Sequence, residues 1–408
     1  MSRLLQNTTF LFAIMWLLTS SCDTSGNVDP VFNDHYIKYY GGDGDQEAKD
    51  VLVVGDSILI LGTSTTGLTK RIYLAKTDLE GNLGWEKTFG STYSEEVAQD
   101  IELIVGGVDA GNFAVLSNVK KNAQDSAAFR LTIVAPDGDS VRSVLFNQLQ
   151  SQRAKSVTPL SGGDYFLTGN TTDVTINPGL PSDLEDVIAV RLQSDLTVAS
   201  LDTIGSSSIG SGIKIFEGSG IFYYAGYSDE LTPLTGPDVQ YESNFTFQSF
   251  YPRPPGTPKG YAGNDSDQEQ LAFVAKSDLL NNYLAVGTQT ISGNSSLYVS
   301  LLNGNFTIAR ENAIQQSTEG VAACASGINF LVVGNKVKAG GNRNIWLAKV
   351  NSSLTITLGP IEFGGTNNDD TASAVAELPN GDIIVVGTMS LVNQKKIALI
   401  KLKSNGQF

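Results

Sequence analysis

An apolar triplet closed by a small residue recurs along most of this chain. It stands at Leu61-Gly62, Leu116-Ser117, Thr168-Gly169, Ala225-Gly226, Val286-Gly287, Val333-Gly334 and Val386-Gly387. The shortest step, Gly287 to Gly334, is 47 residues and the longest, Gly226 to Gly287, is 61. Around the last copy a whole unit can be read. It runs from Phe363-Gly364-Gly365 through a polar turn ending in Asp369-Asp370, a short strand (Thr371 to Leu378) and the turn Pro379-Asn380-Gly381-Asp382. An apolar strand closed by Gly387 and a third strand, Ile397 to Leu402, complete it. Such a repeat constrains the fold because each copy is one small sheet that cannot bury its faces alone and must stack on its neighbours.

A period of about 40–50 residues or slightly more, with several short strands and no helix, is the pattern of propeller blades. The expected class is therefore all-β, a seven-bladed β-propeller. Stacked repeats also explain how 408 residues form one body although single cores stop growing near ~250–300 residues. The 42 glycines supply the tight turns of an all-strand chain. His35-Tyr36-Ile37-Lys38-Tyr39-Tyr40-Gly41-Gly42 matches Trp85-Glu86-Lys87-Thr88-Phe89-Gly90, which follows a third strand, whereas the chain ends on a third strand. The N-terminal stretch is thus expected to be the outer strand that completes the last blade and closes the ring, removing open sheet edges.

The formal net charge is −15. A chain so acidic has little Lys and Arg to spare for phosphates, which excludes nucleic acid as a main partner.

Residues 1–21 read as an export signal, with Arg3 leading into the apolar run Phe10 to Leu18 and the small residues Thr19-Ser20-Ser21. That run is too short to span a bilayer, which takes about 20 apolar residues. Small residues ahead of Cys22 resemble the lipobox of bacterial lipoproteins, in which the cysteine is acylated; here Thr19 replaces the family's preferred leucine. The expected organisation is a signal peptide (1–21), a lipidated flexible tether (22–35) and a propeller (36–408), held at the outer membrane or cell surface by palmitate-type acyl chains. Cys324 is the only other cysteine, and is expected to be a small buried side chain.

Trp85 to Gly90, the turn Gly364 to Asp370, the Asn380-Gly381-Asp382 turn and the terminal Lys401-Leu402-Lys403-Ser404-Asn405-Gly406 resemble the β-propeller-repeat lipoproteins of the Bacteroidota outer membrane. That resemblance implies binding or scaffolding, for an envelope protein or an extracellular glycan, more than catalysis.

Acidic turns at Asp43, Asp45, Glu95, Glu96, Asp265, Asp267, Glu319, Asp369 and Asp370 are expected to gather around the mouth of the central channel. Asp43, Asp45, Asp265, Asp267, Asp369 and Asp370 are the candidate oxygen ligands if Ca²⁺ is held; carboxylates that cap turns and face water are the other reading. The insertion Ser228 to Lys259 supplies the candidate partner-binding residues Tyr241, Phe245, Phe247, Phe250, Tyr251 and Arg253. Its alternation Asn244-Phe245-Thr246-Phe247 reads equally as a further strand with its rings inward. His35 is the only histidine, which leaves Ser-His-Asp and Cys-His mechanisms poorly supported. The alternative to binding is a polysaccharide-degrading enzyme using paired carboxylates, which would stand ~5–9.5 Å apart.

Overall fold

The computed structural model describes residues 35–90, 95–120, 127–149, 151–172, 186–204, 210–218, 221–228, 244–251, 260–262, 268–277 and 279–408, with the backbone alone at 204, 218, 228, 244, 246, 248–251 and 260–262. Among the described residues there are 28 strands and no helix. They form a β-propeller fold of antiparallel meanders: five four-stranded sheets and one of eight strands. Within the larger sheet, a single parallel bridge between Lys70 and Glu95 joins two four-stranded units. Strand Tyr36–Tyr40 pairs with strand Lys395–Leu402, Tyr36 opposite Lys401 and Tyr40 opposite Ile397.

The closing small residue has a local cause. In every unit the first and second strands pair with one residue left over on the first strand, a β-bulge. The residue before the bulge lies opposite the closing residue: Ala48 with Gly62, Ala98 with Ser117, Ala154 with Gly169 and Gly212 with Gly226. Leu271 with Gly287, Gly320 with Gly334 and Ala372 with Gly387 continue the series. At the bulge the backbone of the first strand crowds its partner. A Cβ added at Gly169 would stand 2.0 Å from the carbonyl oxygen of Arg153. Ser117 is the exception, and its hydroxyl donates to Glu96 Oε1 at 3.0 Å.

In six units the residue after the closing residue fastens one unit to the next. Thr63 Oγ1 accepts from Ala98 N at 3.0 Å, Asn118 Oδ1 from Ala154 N at 2.6 Å, and Asn170 Oδ1 from Gly212 N at 3.2 Å. Thr288 Oγ1 accepts from Gly320 N at 3.2 Å and Asn335 Oδ1 from Ala372 N at 2.8 Å. Thr388 Oγ1 accepts from Ala48 N at 2.9 Å, linking the last unit to the first. Tyr227 holds this position after Gly226.

The core lies between sheets as separate apolar clusters, each shared by neighbouring units. Ile104, Phe129 and Tyr165 meet in one, and Val286, Phe330 and Trp346 in another. Ile58, Ile60 and Tyr73 of the first unit pack with Ile384, Val386 and Ile397 of the last. A fully buried Leu or Ile contributes about 1.5–3 kcal/mol, so the contacts between units carry much of the stability, as expected for stacked repeats.

Candidate functional site: the cavity between the first strands

All the first strands line one cavity of about 620 Å³. The bulge is what points side chains into it. Each surplus residue faces the cavity: Lys49, Gln99, Lys155 and Ile213 from the first four units, then Ala272, Val321 and Ser373. One position further along, the units differ in a sequence of their own. Asp50, Asp100, Ser156 and Lys214 follow one another, then Phe273, all lining the cavity. Ala322 and Ala374, at the same position in the last two units, lie instead in apolar clusters. One arc of the cavity is thus polar and ionisable, and the rest mostly apolar at that level.

The polar arc is tied together from unit to unit. Asp50 Oδ1 accepts from its neighbour Val51 N at 2.8 Å, and Oδ2 from Ile101 N of the next unit at 3.2 Å. Asp100 Oδ2 repeats the pattern one unit on, accepting from Val157 N at 2.8 Å. The two carboxyl groups stand within hydrogen-bonding reach of each other. A hydrogen bond between them requires a proton on one of the two. The Asp100 carboxyl is pushed up to about 7, chiefly by burial; Lys214 opposes that rise and Asp50 adds to it.

Lys214 forms an ion pair with Glu102, bridging from the fourth first strand to the second. Burial works against the Lys214 charge, but Glu102, Asp100 and Asp50 more than offset it and hold its pKa above the usual lysine value. Burial raises Glu102, and Lys214 pulls it back. The Lys214 Nζ lies 5.8 Å from the centre of the Phe273 ring. Ser156 is 5% exposed, and its buried hydroxyl has no hydrogen-bond partner among the described residues.

The structure places few of the sequence candidates at this cavity. Phe245 and Phe247 are 0% and 1% exposed in strand Asn244–Tyr251, packed with Leu271 and Tyr298 in the core. They are withdrawn as binding residues: the alternation is that of a strand with its rings inward. Phe250 and Tyr251 belong to the same strand, described by backbone alone. Cys22, Tyr241, Arg253, Asp265 and Asp267 lie outside the described residues.

The acidic turns do not form a mouth of free carboxylates. Asp370 is 2% exposed and accepts from Gly365 N and Ser390 N, both at 2.8 Å. Asp369 takes the Arg343 Nε at 2.9 Å and Nη2 at 2.7 Å, which holds its carboxyl below the usual range. Asp45 accepts from Lys395 N at 2.9 Å, Glu96 is buried against Ser117 and Arg130, and Asp43 is an exposed turn residue. Apart from Asp43, these acids fasten turns and strand ends, with oxygens already engaged by backbone N–H groups, the Ser117 hydroxyl and arginine. Among the described acids of these turns Glu319 alone lines the cavity, 3.9 Å from Arg343 Nη1. Among the described residues no group of three or more metal-ligating side chains is assembled.

Sequence reasoning overlooked the arc, yet a signal for it exists. Ala48-Lys49-Asp50, Ala98-Gln99-Asp100, Ala154-Lys155-Ser156 and Gly212-Ile213-Lys214 are aligned tripeptides, each starting opposite a closing residue.

No protein-family model matches the chain, and no curated protein matches it by sequence. It is similar in structure to the β-propeller domain of the Trilobed protease from Pyrococcus furiosus, at 10% identity and a TM-score of 0.45, over 89% of this chain and 93% of that one. A protein of unknown function from Bacteroides caccae is similar at 9% identity and a TM-score of 0.39, over 86% of this chain and 92% of that one. The polysaccharide lyase Uly1 is similar at 8% identity and a TM-score of 0.49, over 90% and 91% of the two chains.

Proposed function

We propose that this chain is a lipid-anchored, closed seven-bladed β-propeller at the outer membrane or cell surface, and that it is a binding protein whose ligand occupies the cavity between its first strands. The ring reading is supported by the Tyr36–Tyr40 pairing with Lys395–Leu402, the Thr388 contact to Ala48, and the apolar cluster shared by the first and last units. The anchor reading is supported by the leader sequence that ends at Cys22.

One observation carries the binding reading: Asp50, Asp100, Ser156 and Lys214 converge on a cavity of about 620 Å³, within the ~300–1,000 Å³ typical of small-ligand sites. A polar cavity of this size suits a small ligand, such as part of a glycan, better than a folded partner. The enzymatic alternative has one point in its favour, an Asp100 carboxyl that titrates near neutrality. Against it, glycoside chemistry keeps its two carboxyls ~5–9.5 Å apart, whereas Asp50 and Asp100 stand within hydrogen-bonding reach of each other.

The deciding experiment is purification of the full-length protein from its native membranes, followed by native mass spectrometry. A small molecule retained intact, and lost when Asp100 or Lys214 is replaced, supports the reading. Turnover of an added glycan overturns it in favour of the enzyme.

A further inference from the structure

We propose that Asp50, Asp100, Ser156 and Lys214 form a saccharide-binding site, taking the vicinal hydroxyls of a sugar, with the Phe273 ring beside them for the sugar's C–H face. This inference rests on the cavity being the ligand site and adds the class of ligand.

Charge balance is the first argument. Lys49, Lys155 and Lys214 line the cavity together with Asp50, Asp100 and Glu319, and Lys214 is paired with Glu102. Cationic and anionic side chains are therefore mixed, and neither sign of ligand charge is favoured. A ligand that is neutral overall but rich in hydrogen-bonding groups meets no net opposition.

Donor and acceptor chemistry is the second. A hydroxyl both donates and accepts, so adjacent hydroxyls need carboxylate acceptors and ammonium donors side by side. Asp50 beside Asp100, and Lys214 at the end of the same arc, supply that alternation. Ser156 supplies the third argument, because its hydroxyl is buried without a partner among the described residues, between Asp100 and Lys214 in the series. A buried polar group is costly unless bonded, and a ligand hydroxyl would satisfy it. Finally, Phe273 follows Lys214 in the ring, and an aromatic face beside polar groups accommodates a sugar's two-sided character.

The test is isothermal titration of the full-length protein at pH 6.5 with trisaccharides of glucose, galactose, mannose, N-acetylglucosamine and galacturonic acid, and with spermidine, citrate and trialanine. The expected result is binding of at least one trisaccharide, weakened about five- to tenfold in Ser156→Ala, the effect of one lost hydrogen bond. Asp100→Asn keeps a donor toward Asp50 and so preserves the fold, checked by near-ultraviolet circular dichroism; it should weaken the same sugar, while Lys38→Ala should not. If spermidine, citrate or trialanine binds in an Asp100- or Lys214-dependent manner and no sugar does, the saccharide assignment fails and the cavity reading stands. If a sugar binds with equal affinity in Ser156→Ala and Asp100→Asn, the assigned residues are wrong. If none of the probes binds, both readings fail.

Discussion

The hydroxyl of Thr388 accepts a hydrogen bond from the backbone N–H of Ala48 at 2.9 Å, across 340 residues of sequence. Thr63 makes the same bond to Ala98 between the first two units, at 3.0 Å. The two contacts are chemically alike, and only the first joins units from opposite ends of the chain. Thr388→Val leaves the Ala48 N–H without its acceptor and should destabilise by roughly 1–3 kcal/mol, with Thr388→Ser close to wild type. Thermal unfolding of Thr388→Val beside Thr63→Val measures how firmly the ends are joined: equal losses are expected of a closed ring, and a negligible loss at Thr388 alone would refute closure.

Glycine at the closing positions is a steric requirement. An added Cβ at Gly169 meets the Arg153 oxygen at 2.0 Å, whereas one at Gly162 meets nothing within 4 Å. Gly169→Ala is expected to cost on the order of 1–3 kcal/mol or more, in the range of overpacking, and Gly162→Ala close to nothing. Urea unfolding of the pair tests this; similar midpoints would show that the backbone gives way at the bulge.

Stability should depend on pH through Asp100. Its carboxyl is pushed up to about 7 in the folded protein from an ordinary 3.8, so between those values the native state holds a proton that the unfolded chain has lost. Stability therefore falls as pH rises across this window, by at most about 1.4 kcal/mol per pH unit, and levels off above the folded value. Asp100→Asn removes this group's share. The wild-type stability minus that of the variant should decline from pH 4 to 7 and flatten by pH 8, and a flat difference throughout would contradict the burial of that proton.

Cys324 is free and only partly buried, packed against the cluster containing Ala322 and Leu331; desolvation there, with the nearby Glu377 charge adding, pushes its thiol up to about 12. At pH 8 about one thiol in ten thousand is then ionised, and thiolate is the reactive form. Iodoacetamide should leave Cys324 unmodified in the native protein and label it in denaturant. Rapid native labelling would show the thiol to be activated.

Acylation of Cys22 predicts that Cys22→Ser moves the protein from the membrane fraction to the soluble one. Fractionation with immunoblotting checks it, and unchanged membrane retention would remove the anchor from the proposed function.

The repeat was legible because burial is periodic: each apolar triplet sits between sheets, and the small residue after it is forced by the bulge opposite. Pairing of Tyr36–Tyr40 with the last strand was legible from its likeness to Trp85 to Gly90. The cavity was not. Asp50, Asp100, Ser156 and Lys214 become neighbours only when units are superposed on their bulges, and nothing in local composition distinguishes them from other polar residues on strands. The aromatic insertion misled in the opposite direction, since Phe245 and Phe247 satisfy a strand's inward face as well as they would a binding platform. Asp369 and Asp370 looked like ligands because sequence spacing hides the Arg343 guanidinium and the Ser390 N–H that occupy them.

The surplus residue on each first strand takes no part in the one-to-one register. Its side chain is therefore exchangeable without altering which backbone groups meet. Each first strand thus carries one cavity-facing position that strand pairing does not constrain, set beside paired positions that it does.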